Sequence, residues 1–334
     1  NPGTPRGFLA TTKGTNVSNC IAKTCSTSFY IGMFDGLVTG CKAIDWTYDN
    51  GFYILAPNTT FTDCRADGNN FGNGFAIAYN YGNKLVNCEA TGCSNMGFRL
   101  HAPQRKTHLT NCRATNCGYG FRAENTIAFT PTSITASSNV VTIDLGQDVL
   151  ANTLFNSKQY VCIEGATDTN YNGVYIIDDV SGNTITIDNE YVSDGTASGT
   201  LEVRYVTNDI TISNCQTSET NIDGFQFDRS AEILLSNCSA TDITEDGFSV
   251  DNSRKVSIVN ANVTQTGRHG VKFTNSRFCN ATGGVMRDTY FSSVYAGDCH
   301  VINVSDIVID RGKNFSDTTS SKGVVSFYQV DGMT

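Results

Sequence analysis

Residues 221–273 read NIDGFQFDRSAEILLSNCSATDITEDGFSVDNSRKVSIVNANVTQTGRHGVKF, and one phrase is written there three times: Gly224-Phe225-Gln226-Phe227, Gly247-Phe248-Ser249-Val250 and Gly270-Val271-Lys272-Phe273. The copies are 23 residues apart. The same step continues outward to Gly7-Phe8, Ser28-Phe29, Gly51-Phe52, Gly74-Phe75, Gly97-Phe98, Gly120-Phe121 and Ser293-Val294, broken only by a first step of 21 and one of 104. In phase with it run a cysteine column (Cys20, Cys41, Cys64, Cys88, Cys112, Cys215, Cys238) and, one residue earlier, a column that is mostly Asn. An aliphatic or aromatic column stands three residues before the cysteines, from Val17 and Val38 to Leu235 and Ile258.

A unit of 23 residues holding three short alternating runs matches one coil of three strands joined by turns. Coils that repeat a column stack it on itself at the strand spacing of about 4.8 Å, so each coil buries its apolar face only because its neighbours do the same. The fold class is therefore all-β, a parallel β-helix of about ten rungs. Stacked cysteines two residues before small Ala positions read as buried apolar side chains, and their spacing lacks the close pairs and nearby His of a zinc site. The Asn column reads as a turn position with side-chain hydrogen bonds along the stack.

The totals agree with this. The 334 residues carry 31 Gly, 5 Pro, 13 Cys and a formal net charge of -9, which argues against nucleic acid as the main partner because phosphate binding needs a basic face. No apolar run is long enough to span a bilayer as a helix. The chain opens inside the repeat without an initiating Met and reads as a piece of a longer protein. Reduced thiols suit assembly in a reducing cytosol.

Where the repeat skips 104 residues, the surplus over one period is a segment with alternating runs of its own, such as NTITIDN and GTLEVRYV. The expected organisation is N-terminal rungs over 1–128, a small all-β domain inserted over 129–207, and rungs of the same solenoid over 208–334.

These repeats resemble the right-handed parallel β-helix proteins of the pectin-lyase-like superfamily, among them polygalacturonase-type hydrolases and phage tailspike depolymerases. Three rungs sharpen the likeness. The residues before the repeating Gly are Asp223, Asp246 and His269, where earlier rungs hold Asn50, Asn73, Met96 and Tyr119. Asn221-Ile222-Asp223-Gly224, Glu245-Asp246-Gly247 and Arg268-His269-Gly270 are similar to the successive N-T-D-G, D-D and G-H-G motifs of polygalacturonases. The resemblance implies Glu245 as general acid, Asp223 and Asp246 as the groups that position and deprotonate water, and His269 in support. That family's R-x-K motif is missing from the next rung, Ser293-Val294-Tyr295-Ala296-Gly297, and Arg311-Gly312-Lys313 comes about 18 residues late.

From the residues themselves, two carboxylates one strand spacing apart resist joint ionisation, and a protonated acid beside an ionised one is what glycoside hydrolysis needs. Asp before Gly is also common turn chemistry, so that reading stays open beside the catalytic one. The face outside the Gly-aromatic column carries Arg268, Lys272, Asp228, Asp251, Arg122 and Arg99 as candidate contacts to a sugar chain, with His101 and Glu124 expected to be exposed beside them. Expected partners are a polysaccharide or cell-surface glycan and, in the tailspike branch, two further copies of the chain in a homotrimer. Expected localisation is a virion surface or the extracellular space, and neither a cofactor nor a metal is expected. A non-catalytic glycan-binding rod and a polysaccharide lyase using Lys272 with Asp228 and Asp251 are the competing readings.

Overall fold

The computed structural model describes residues 6–78, 81–101, 103, 105–125, 127–146, 155, 157–188, 194–310 and 325–331. It is a right-handed parallel β-solenoid in which 28 strands among the described residues form one continuous hydrogen-bonded system. Among the described residues the only helical piece is the short 3-10 turn Thr169–Tyr171.

The first strand of each coil holds the Gly-aromatic step. Phe75 pairs with Phe98, Phe98 with Phe121 and Phe225 with Phe248 in unbroken parallel register. Their rings lie flat on one another, with centroids 4.6 Å apart for Phe98 and Phe121 and 4.7 Å for Phe225 and Phe248. That separation is the strand spacing itself, so the ladder dictates the ring stacking. The register also closes across the 104-residue skip: Phe121 pairs with Phe225, and their centroids are 4.8 Å apart. The second strands stack Leu85, Leu109, Ile212 and Leu235. The third strands stack Ala66, Ala90 and Ala114.

Small residues in the third strand and glycine in the first have one cause, which is that these two sheets approach closely at the corner. A Cβ on Gly97 would lie 2.7 Å from Ala114 Cβ and 2.8 Å from the Gly120 carbonyl oxygen. The cysteine thiols fill the same narrow interior and donate to carbonyls, as Cys112 does to Leu85 O and Thr110 O, each at 3.5 Å. All 13 cysteines are free, and only Cys20 and Cys25 are not buried. The Asn column sits at a turn in the left-handed region, with φ of 53° at Asn87 and Asn111. Asn tolerates that region better than other side chains with a Cβ. Its amides also run along the stack, Asn111 Nδ2 donating to Asn87 Oδ1 at 3.3 Å.

The solenoid is longer than the ten rungs expected, at about twelve turns. The tier Val325–Asp331 pairs with Val294 and its neighbours, yet stands 31 residues beyond them without a Gly-aromatic step, so periodicity cannot reveal it. Arg311-Gly312-Lys313 lies outside the described residues.

Between the Phe121 and Phe225 tiers, eight antiparallel strands among the described residues form a second sheet, from Ala128–Phe129 to Gly199–Tyr205. Its own core includes Ile143, Ile163, Tyr175 and Ile187. This lobe lies against the rod through an apolar patch of Tyr160, Cys162, Val174, Val206 and Ala231. Polar ties flank it: Tyr160 Oη donates to Glu232 at 2.6 Å, and Arg277 Nη2 donates to Asn172 O at 3.4 Å with its guanidinium over the Tyr175 ring. A β-bulge at Gly165 interrupts the pairing of Tyr160–Ala166 with Gly199–Tyr205. Only glycine fits there, because a Cβ would fall 1.9 Å from Thr200 O. The bulge turns Glu164 toward the rod, where it meets Arg229 at 2.6 Å.

Two measurements check this packing. Phe98→Ala, in the middle of the aromatic stack, should lower stability by about 3–5 kcal/mol. Phe71→Ala, half exposed, should change it by less than ~0.5 kcal/mol. Denaturant unfolding followed by the fluorescence of Trp46, the sole and fully buried tryptophan, reports both. Thiol titration of the folded chain should find Cys20 and Cys25 reactive and the remainder only after unfolding.

Candidate functional site

The turn that leads into each first strand is held from rung to rung by backbone hydrogen bonds. Glu245 N–H donates to Ile222 O, Arg268 N–H to Glu245 O and Phe291 N–H to Arg268 O, so these four residues share a column. The next column is Asp223, Asp246, His269 and Ser292, tied by Gly224 N–H to Asp246 O, Gly247 N–H to His269 O and Gly270 N–H to Ser292 O. The acids and the imidazole therefore stand on three consecutive rungs.

They do not form an exposed ridge. Asp223 is 3% exposed and Asp246 1%. Each carboxyl turns back onto the stack, Asp223 Oδ1 accepting from Asp246 N–H and Asp246 Oδ1 from His269 N–H, both at 3.0 Å. This is the turn chemistry left open above, and it is what sinks the carboxyls. Glu245, Arg268, His269 and Lys272 remain partly exposed around them.

The electrostatics of the two aspartates differ. Asp246 Oδ2 forms an ion pair with Lys272 Nζ at 3.4 Å. Asp223 has no ion pair among the described residues, and burial, followed by the charge of Asp246 and then that of Glu245, pushes its carboxyl up to about 7 against the Asp246 amide and the attraction of Lys272. Oδ1 being engaged by the Asp246 amide, Oδ2 is the oxygen available to carry a proton. Glu245 is half exposed and pairs with Arg268 at 3.3 Å. His269 is held below its ordinary value, because burial outweighs the attraction of Asp246 and is reinforced by Arg268 and Lys272. Its ring stacks on Tyr295, with centroids 4.9 Å apart, and lies 5.9 Å from Phe291.

The remaining candidates divide into two groups. Arg99 and Arg122 both reach Glu124, at 2.7 Å and 3.4 Å, and Arg122 also covers the Tyr119 ring at 4.4 Å. Glu124 and His101, expected to be exposed, are buried, at 8% and 6% exposure, and they are register partners on adjacent rungs. Asp228 lies at the lobe, ion-paired with Arg229, and burial pushes its carboxyl up to about 6 against that pairing. Asp251 accepts from Asn252 Nδ2 and Asn275 Nδ2. Thus Asp223, Asp246, Glu245, Arg268, His269 and Lys272 come together at one end of the first strands, while Asp228 and Asp251 stand at the other.

Sequence reasoning passed over Phe291, an exposed aromatic beside His269, and Tyr290, which meets Phe291 edge-on. Phe291 follows Arg268 by 23 residues, and that period was the available signal. Among the described residues no group of three or more His, Cys, Asp and Glu side chains is arranged to hold a metal ion.

The sequence profile of the family described as "Right handed beta helix region" matches residues 6–149 and 151–286. No curated protein matches the chain in sequence. Among solved structures, the chain is similar to the A-module of a mannuronan C-5 epimerase of Azotobacter vinelandii, with 10% identity and a TM-score of 0.48 over 97% of this chain and 79% of that one. It is similar also to the receptor binding domain of the Siphovirus 9NA tailspike, with 10% identity and a TM-score of 0.47, covering 94% of this chain and about half (53%) of that one. An endo-xylogalacturonan hydrolase from Aspergillus tubingensis shows 9% identity and a TM-score of 0.43 over 96% of this chain and 80% of that one. With the family profile spanning most of its length and the coiled register running through every tier described, the chain belongs to the right-handed β-helix family.

Proposed function

We propose that the protein is a polysaccharide-degrading glycoside hydrolase whose acid and base are Asp223 and Asp246. The observation that carries this reading is the asymmetry of the pair: a carboxyl pushed up to about 7 stands one rung from a carboxylate paired with Lys272. In this mechanism the protonated Asp223 delivers its proton to the glycosidic oxygen, and Asp246 takes a proton from the attacking water. The bond between the anomeric carbon and the glycosidic oxygen breaks as the water oxygen bonds to that carbon. Lys272 and His269 position Asp246, and Tyr295 and Phe291 offer faces for sugar rings. The acid role moves from Glu245, where the resemblance to polygalacturonases puts it, to Asp223, because Glu245 is engaged by Arg268 at the surface.

Turn geometry alone does not call for aspartate. The same column on earlier rungs is filled by Asn50 and Asn73, whose neutral amides hydrogen-bond along the stack at 2.9 Å. Two acids in that place add the cost of buried like charge, which a neutral ladder between side-chain amides does not carry.

A second reading, a rod that grips a glycan without cleaving it, is favoured by the burial of both carboxyls. The lyase grouping is not assembled, since Lys272 is committed to Asp246 and Asp228 to Arg229. In either of the first two readings the partner is a polysaccharide or cell-surface glycan. A homotrimer at a virion surface or in the extracellular space is the setting that the tailspike likeness suggests, and thirteen free thiols accord with assembly in a reducing compartment.

Asp223→Asn and Asp246→Asn should each lower reducing-end release from a cleaved polysaccharide by at least ~100-fold, the scale of a lost general acid or base, with binding retained. Unchanged turnover in both variants would leave only the binding rod. The wild-type rate should fall as pH rises through about 7, where Asp223 gives up its proton.

Stability carries the same signature. Because the folded carboxyl lies above its unfolded value of 3.8, the favourable contribution of Asp223 is complete below that pH and is lost as pH rises through about 7. Asp223→Asn should therefore match wild type near pH 3.5 and exceed it at pH 8.5, by up to ~4 kcal/mol. Unfolding followed through Trp46 at the two pH values measures this, and equal stability at both would remove the buried acid from the argument.

A further inference from the structure

At the far end of the first strands from the carboxylates, the lobe and the rod enclose a cleft of about 620 Å³. Thr169 and Asn170 line it from the lobe, and Asn252, Asn275, Asp298 and His300 from the rod. Asn252 lies six residue steps beyond Asp246, which at about 3.3 Å each places the cleft roughly 20 Å from the carboxylate pair.

Its rod wall is built by the repeat. Asn252, Asn275 and Asp298 occupy the same position on three successive rungs, all left-handed, with φ of 44°, 50° and 53°. Their side chains thus recur at the strand spacing of about 4.8 Å. Asp251 orients two of them, its Oδ1 accepting from Asn275 Nδ2 at 3.1 Å and its Oδ2 from Asn252 Nδ2 at 3.4 Å. With the amide N–H groups turned to Asp251, the two amide oxygens and the Asp298 carboxylate are left as a row of three acceptors.

The charged side chains Glu164 and Arg277 on these walls are buried or engaged by neighbours. Glu164 lies between Arg204 at 3.0 Å and Arg229 at 2.6 Å, and Arg277 is held by Asn172 O and the Tyr175 ring. Asp298 has no ion pair among the described residues and is exposed. A row of acceptors takes a ligand that presents O–H donors, and the exposed Asp298 carboxylate, unlike the buried Arg277, faces the ligand and repels one that is itself anionic. The walls are fixed by the lobe contacts, so the shape exists before any ligand arrives.

We propose that this cleft is a binding site for a neutral, hydroxyl-rich saccharide chain, separate from the carboxylate pair. The choice of a saccharide rests on the glycan reading above, and the choice of a neutral one rests on the acceptor row.

Calorimetry and affinity electrophoresis of the whole chain against dextran, galactomannan, xylan and polygalacturonate test it. At least one neutral polymer should bind, and the double variant N252G/N275G should bind it at least ten-fold more weakly. Glycine keeps the left-handed turns, so an unchanged Trp46 unfolding midpoint verifies the fold. Asp298→Asn, at an exposed position, should raise affinity for polygalacturonate at least three-fold. Failure of every neutral polymer to bind, affinity unaltered in N252G/N275G, or no gain in Asp298→Asn overturns the proposal. Binding through Asn252 and Asn275 without release of reducing ends would keep the cleft and discard the hydrolase, whereas release with binding indifferent to those residues would do the reverse.

Discussion

Lateral pairing of each strand with the same strand one coil later is the interaction on which everything else rests. It satisfies the backbone, and because the register is residue on residue it turns a sequence period into columns of like side chains. The Phe121–Phe225 step shows its strength, since 104 residues intervene and the aromatic stack continues at 4.8 Å. A shift of one residue there would turn every inward side chain outward, so burial along the whole rod selects the register.

The same pairing explains why a turn column can become a site. Along the column before the repeating Gly, a side chain that accepts the amide of the next rung is held in one orientation and shielded from water. Neutral Asn at that place makes a structural ladder of another kind, side-chain amide to side-chain amide, as Asn73 Nδ2 donates to Asn50 Oδ1. Asp at that place makes a ladder with titratable members whose environments differ. Asp223 is buried among negative charges, and Asp246 is reached by Lys272 from the outer face. Turn chemistry and carboxylate chemistry are therefore one geometry read twice, and the buried charge is the part that the turn does not need.

The lobe changes the rod's outer face without disturbing its interior. It leaves after the Phe121 tier, comes back one tier later, and spends charged residues of the rod as fasteners: Arg229 to Glu164, Arg254 to Val174 O and Arg277 to Asn172 O. Asp228 and Asp251, which look like surface acids when only the period is known, are drawn into this contact and into the turn beside it.

Much was legible beforehand because a solenoid writes its fold as repetition. The 23-residue step, the Phe, Cys and Asn columns, the β-rich excursion and the stacking of Asp223, Asp246 and His269 all follow from spacing. The tier at Val325–Asp331 was not legible, because it lies 31 residues on and lacks the repeating Gly. Nor was the burial of Glu124, to which Arg99 and Arg122 both reach, or that of its register partner His101. Sequence by itself determined which residues share a column, since strand pairing at constant register converts period into neighbourhood. Only the tertiary structure decided which way each column member points, which cation it meets and what the lobe covers, because those depend on side-chain hydrogen bonds and on contacts between segments about a hundred residues apart.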